Sequence, residues 1–276
     1  MNLVQSIYQH AIHSPKKVAL SYEGTDMTYE EVERRVANFA HNLKRQGMKK
    51  KSHIAIVESN CPEFIIALYA IMRIQATAIP INPSYTHREM EYILKQSDTE
   101  LIISNKHVQT DLPIVSFEQM LSPSGEQAIE QIEDDQVALI LYTSGTTGEP
   151  KGAMLTHKNL YSNACDVAEF LQIFHEDCVI VALPIFHVFA LTVAVNAPLK
   201  QGATLLIHRS FSPAQIFKAA NEEGATVFAG VPTMYSFLLN SESDYATPLK
   251  SIRLAISGGS SLPIAVLEGF EKRFDL

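Results

Sequence analysis

The sequence predicts an α/β fold of mostly parallel sheet sandwiched by helices, and three observations carry that reading. Strand-like runs such as 54–57 and 179–183 are apolar throughout instead of alternating, the mark of strands buried on both faces. Segments with apolar residues at helical spacing separate many of them. The chain has 276 residues, 46% hydrophobic and 19% charged, enough for one large domain or two smaller ones with a substantial core.

Taken in order, Thr28-Tyr29-Glu30-Glu31 is a capping box, since the Thr28 hydroxyl and the Glu31 carboxylate can each satisfy an exposed amide. Val32, Val36, Phe39, Ala40 and Leu43 follow at helical spacing until Gly47 stops the helix. A short strand at 54–57 precedes a helix opened by Pro62. The apolar run 64–72 within it is too short to span a bilayer and reads as a buried core helix. Further strands are expected at 77–81, 100–104, 137–142, 179–183, 203–207, 225–229 and 252–257. Helices are expected at 88–95, 159–170, 213–222, 234–239 and 262–274. Residues 122–135 are acidic and weakly apolar, so they read as a solvated connector. No internal repeat or low-complexity linker divides the chain. After the last helix, which closes on Phe274-Asp275-Leu276, the alternation calls for another strand, so the sequence reads as a fragment.

The formal net charge of −8, from 22 Lys+Arg against 30 Asp+Glu, argues against a nucleic-acid partner, which needs a basic face. Cys61, Cys165 and Cys178 form no CxxC pair, so neither a disulfide framework nor a zinc knuckle is expected. The first residues lack a basic start followed by an apolar run. A cytoplasmic protein with reduced thiols and no transmembrane segment is the expectation. His10 and His13 could share a helix face, but no third ligand accompanies them and they read as surface residues.

The chemistry concentrates after the strand 137–142. From Thr143 to Gly152 the chain places four hydroxyl residues, Thr143, Ser144, Thr146 and Thr147, among three glycines, Gly145, Gly148 and Gly152, with Lys151 near the end. Glycines let a backbone approach a ligand and turn its amides toward an anion. The hydroxyls add donors, and Lys151 adds a mobile positive charge. A polar loop without function is the bland alternative, which this density of donors disfavours. A Walker A loop is excluded by spacing, because Glu149 and Pro150 separate Gly148 from Lys151 and Gly152 follows the lysine.

The stretch 142–152, continuing through Ala153-Met154-Leu155-Thr156-His157, resembles the signature of the adenylate-forming (AMP-binding) ligases. Pro80-Ile81-Asn82-Pro83, Leu183-Pro184-Ile185-Phe186-His187, Gly230-Val231-Pro232-Thr233-Met234-Tyr235 and Ser257-Gly258-Gly259-Ser260-Ser261-Leu262-Pro263 follow in that family's order. The match is most similar to bacterial long-chain fatty acyl-CoA ligases. One departure is Gln75, where relatives carry Gly at a helix end.

The resemblance implies the N-terminal part of a large adenylation domain, in two sub-lobes over residues 1–276, without the small C-terminal domain. The family's catalytic lysine is expected beyond Leu276, so no catalytic residue is expected within the sequence itself. The resemblance also implies ATP-dependent activation of a fatty acid to acyl-adenylate and then acyl-CoA, releasing pyrophosphate and AMP, with ATP, Mg²⁺ and coenzyme A taking part. Thr143, Ser144, Gly145, Thr146, Thr147, Gly148 and Lys151 would hold the phosphates, and Thr143 would also touch Mg²⁺. His187, Tyr235, Gly258, Gly259 and Ser260 would line the acyl and adenylate pocket. For Tyr235, plain packing is an equal alternative. The resemblance leaves room for a homodimer. An amino-acid adenylating enzyme is the nearest rival, but residues 187–195 carry no carboxylate to pair an ammonium, whose unpaired burial is costly. An aryl-acid ligase and a non-catalytic nucleotide-binding fragment remain as alternatives.

Overall fold

The computed structural model describes residues 2–143, 150–241 and 249–276. The chain opens with α1 (Leu3–His13), β1 (Val18–Tyr22), β2 (Thr25–Thr28), α2 (Tyr29–Arg45), β3 (His53–Val57), α3 (Pro62–Arg73), β4 (Thr77–Ile81) and α4 (His87–Gln96). There follow β5 (Leu101–Ile103), β6 (Ile114–Val115), α5 (Phe117–Leu121), β7 (Val137–Thr143), β8 (Lys151–Thr156), α6 (His157–Phe170) and β9 (Cys178–Val181). A helix then runs from α7 (Val188–Ala190) through a π-helical stretch (Leu191–Asn196) into α8 (Ala197–Gln201). The rest is β10 (Thr204–Ile207), α9 (Pro213–Asn221), β11 (Val227–Gly230), α10 (Pro232–Asn240), β12 (Leu254–Ser257) and α11 (Ile264–Phe274).

Among these residues two six-stranded sheets form, in the orders β6-β5-β3-β4-β7-β8 and β12-β11-β9-β10-β1-β2. Most pairings are parallel, and β8 returns antiparallel to β7. The mostly parallel α/β fold expected from the sequence is therefore present. The chain divides into two compact units, residues 1–17 with 27–163 and residues 18–26 with 164–276.

In the first unit the Thr28 capping box forms as expected, with Glu31 N donating to Thr28 Oγ1 and Thr28 N to Glu31 Oε2. Helix α3 is buried at every position but Glu63, because a helix apolar all round has no face for water. Its last residue, Arg73, is 4% exposed and paired at 2.6 Å with Glu33. Gln75 adopts φ +58°. Ala76 N donates to Ile71 O and Gln75 N to Met72 O, the paired bonds of a Schellman ending. The helix thus stops where a relative's glycine would stop it. The acidic connector is largely exposed, and ion pairs from Lys44 to Glu130 and Lys50 to Glu133 tie it down.

In the second unit α9, α10 and α11 cover the sheet through an aromatic cluster of Phe217, Phe228, Tyr235, Phe270 and Phe274. Helix α11 is capped by Asp275 in the left-handed region, φ 55°, and the side chain of Leu276 beyond it is exposed. The strand starts are tied together at Asp177, which is 4% exposed. Asp177 accepts hydrogen bonds from Arg253, Thr226 Oγ1 and Phe174 N. No helix among the described residues is long and apolar enough to cross a membrane.

Candidate functional site

The first constellation is the β7–β8 hairpin. Its last described pair sets Thr143 opposite Lys151, after Tyr142 opposite Gly152 and Leu141 opposite Ala153. The interior of β7 is apolar and fully buried, whereas Thr143 and Lys151 are exposed at the hairpin's end. Buried strand residues therefore fix the position of two solvent-facing polar ones. The connection carries Ser144, Gly145, Thr146, Thr147 and Gly148, which lie outside the described residues.

Gly152 is a requirement of this geometry. A Cβ there would meet Ile140 Cγ2 at 2.8 Å and Tyr142 Cζ at 3.1 Å, so a larger residue would have to displace one of these side chains. Because β7 is parallel to β4 and β8 antiparallel to β7, the connection leaves from the carboxyl edge of the parallel strands. Ligands of open α/β sheets bind at that edge. A strand, not a helix, follows the connection, in keeping with the failed Walker A spacing. That strand was not anticipated, since Lys-Gly-Ala-Met-Leu carries no β-branched residue.

The second constellation gathers loops from the carboxyl ends of three adjacent parallel strands, β9, β11 and β12. Beyond β9, His187 caps the helical turn of α7 with extended backbone, φ −97° and ψ 142°. His187 N donates to Pro184 O, and Leu191 N donates to His187 O. The His187 ring lies 4.6 Å from Phe186 and is exposed on one side. Burial of the rest holds its pKa below the ordinary imidazole value, which keeps it neutral near pH 7.

At the end of β12, Gly258 N donates to Gly230 O. Gly259 adopts φ +81°, a conformation that favours glycine, and Gly259 and Ser260 are exposed. Tyr235 is placed differently from the glycines. It is 2% exposed, packs edge-on to Phe270 at 4.9 Å and lies beside Phe228, and burial pushes its phenol pKa upward. Its side chain belongs to the aromatic core, the packing alternative weighed for it.

Phe189 was not singled out from the sequence. A Cβ on Gly258 would stand 2.5 Å from Phe189 Cζ, so the Phe189 ring lies directly on the Gly258 backbone. An aromatic two residues after His187 was visible in the sequence, but its partner was not.

Among the described residues no group of three His, Cys, Asp or Glu side chains could hold a metal ion. The hydroxyl of Thr143 alone does not build a magnesium site. Clefts of 730, 700 and 1090 Å³ open beside α4, beside β10 and beside α1, and none of Thr143, Lys151, His187, Tyr235, Gly258, Gly259 and Ser260 lines them.

Comparison with known proteins shows the family to which the chain belongs. A family model described as AMP-binding enzyme matches residues 7–276. The chain is 32% identical over 258 residues to a feruloyl-CoA synthase of Amycolatopsis, covering 91% of this chain and 52% of that protein. It is 27% identical over 312 residues to a long-chain-fatty-acid–CoA ligase of Bacillus subtilis, covering 95% and 56% respectively. Among solved structures, ATP-bound MatB from Rhodopseudomonas palustris superposes with a TM-score of 0.89 at 26% identity, covering 100% of this chain and 58% of that one. The chain spans about half the length of the curated relatives it matches.

Proposed function

The chain belongs to the AMP-binding enzyme family, and from that premise we propose that it is part of an AMP-forming acyl-CoA ligase acting on an apolar carboxylic acid, a fatty acid first of all. The observation that carries this is the hairpin that sets Lys151 and Thr143 face to face at the ends of a Gly/Ser/Thr-rich connection. In this reading the substrate carboxylate attacks the α-phosphorus of ATP, and the bond to pyrophosphate breaks. The thiol of CoA then attacks the acyl carbon, and AMP leaves.

Lys151 supplies positive charge to the departing phosphates, and the Thr143 hydroxyl donates beside it. Donors fixed in place before reaction are the main source of rate enhancement where phosphate charge develops. His187 needs no proton-abstracting role, because a carboxylic acid is already ionised near pH 7. Its neutral ring, with Phe189 over Gly258, offers an apolar wall to the acyl group. Residues 1–276 correspond in this reading to the N-terminal part of the adenylation domain.

The apolar residues 187–195 favour an acid without an ammonium group. The likeness to a feruloyl-CoA synthase supports an aryl acid as the second reading. ATP-dependent AMP release by the full-length protein, measured with a straight-chain fatty acid, ferulate and an amino acid, separates them. Preference for the fatty acid supports the first reading and preference for ferulate the second. Preference for the amino acid overturns both.

A further inference from the structure

We infer that Asn82 is a third side chain of the phosphate-binding edge, donating its carboxamide N–H to the anion that Lys151 and Thr143 face. This rests on the phosphate reading of the hairpin and extends it to a strand with no assigned role. The Pro80-Ile81-Asn82-Pro83 stretch lies at the carboxyl end of β4, and β4 lies directly beside β7 in the sheet. Their register pairs Ala78 with Leu139, and Thr77 Oγ1 donates to Val137 O at 3.0 Å to lock it. Continued toward the carboxyl edge, this register sets Ile81 level with Tyr142 and Asn82 level with Thr143. Across the hairpin, Tyr142 pairs with Gly152 and Thr143 with Lys151.

Side-chain packing supports the same alignment. Ile81 and Ile140 share one buried cluster, with Tyr85 and Tyr142 packed against it, and the missing Cβ of Gly152 points at Ile140 and Tyr142. Ile81, Tyr142 and Gly152 thus share one face. Because side chains alternate along strands, Thr143 and Lys151 fall together on the other face of β7 and β8, and Asn82, the residue just past the end of β4, continues the same alternation beside them, neighbouring strands being about 5 Å apart.

The local chemistry of Asn82 fits a donor. Its Oδ1 accepts from Ser84 N at 2.9 Å, and Tyr85 N donates to its carbonyl. The carboxamide oxygen is therefore engaged in the turn, and the Nδ2 amine has no partner among the described residues. A neutral donor beside one lysine suits a multiply charged phosphate, because it adds a hydrogen bond without a carboxylate to repel the anion.

The test exploits the two ends of the carboxamide. Asn82→Asp keeps an acceptor for Ser84 N, and so keeps the turn, while it removes the donor and adds negative charge. ATP and AMP binding to the chain are followed by ³¹P NMR titration for the unsubstituted protein, Asn82→Asp and Lys151→Ala. The expected result is ATP affinity lowered about tenfold or more in Asn82→Asp, the scale of a hydrogen bond to a charged group. AMP affinity and the thermal midpoint should move little. Unchanged ATP affinity in Asn82→Asp, with a loss in Lys151→Ala, overturns the role of Asn82 and leaves the phosphate reading standing. Equal affinity in all three proteins, or no ATP binding by the unsubstituted chain, overturns both.

Discussion

At Gln75 the backbone adopts φ +58°, and the side chain is 5% exposed with Oε1 lacking a partner among the described residues. A residue with a Cβ is strained in this conformation by about 1 kcal/mol, and an unpaired buried acceptor adds to the cost. Gln75→Gly should therefore raise stability by about 1 kcal/mol despite the space it opens, read as a higher urea midpoint. A lower midpoint would mean that the buried side chain contributes more by packing than it loses by strain. Gly258 shows the opposite dependence, because its value lies in having no Cβ. With Phe189 Cζ 2.5 Å from where that atom would stand, Gly258→Ala must displace the ring. In the full-length protein the KM for the acid should rise about tenfold, the scale of one misplaced methyl in an apolar pocket, while the KM for ATP stays unchanged. Equal changes in both constants would place Phe189 outside the acyl wall.

At the first position of α6, directly after β8, stands His157, 2% exposed with Nε2 unpartnered among the described residues. Burial lowers its pKa from 6.5 to about 4. Between those values the unfolded chain holds a proton that the folded chain does not. Stability should therefore fall as pH drops from about 6.5 to about 4, by up to about 3 kcal/mol. Denaturant melts at pH values near neutrality and near the lowered pKa check this, and His157→Gln should flatten the difference. The second unit has its own sensitive junction. Arg253→Ala strips the buried Asp177 of its charged partner, and the loss should be about 3 kcal/mol or more, measured as a drop in unfolding free energy. Much of this element layer was legible in the sequence. The strand at 77–81 coincides with β4, and the capping box at Thr28 announced α2, because both are encoded by neighbouring residues. Helix α1 rests on a capping box between Asn2 and Gln5 that is faint in the sequence, and only Thr156 at the end of β8 is β-branched. Strand β1 owes its place to a distant partner, pairing Leu20 with Leu205. The hydroxyl residues and glycines between β7 and Lys151 could be read directly. That Thr143 faces Lys151, and that Phe189 covers Gly258, depends on register and packing that no local pattern records.

On the scale of the whole molecule, β12 lies at the edge of its sheet among the described residues, and Leu254, Ala255 and Ile256 are partly buried. An unpaired apolar edge invites pairing with another chain. The chain should self-associate as its concentration rises, and Ile256→Lys should shift sedimentation toward the monomer. Concentration-independent sedimentation of the unsubstituted chain would count against this. The position of β1 has a consequence of another kind, concerning time. Val18–Tyr22 is made early, yet its partner strand is Thr204–Ile207, and Thr204 Oγ1 donates to Val18 O across 186 positions. During synthesis at ~5–20 residues per second, the strands through β8 emerge some seconds before β10. The first sheet can therefore assemble on the ribosome while β1 waits, paired to nothing but its short neighbour. Closing so long a loop is slow, so the capture of this early strand should lag well behind the assembly of the first sheet.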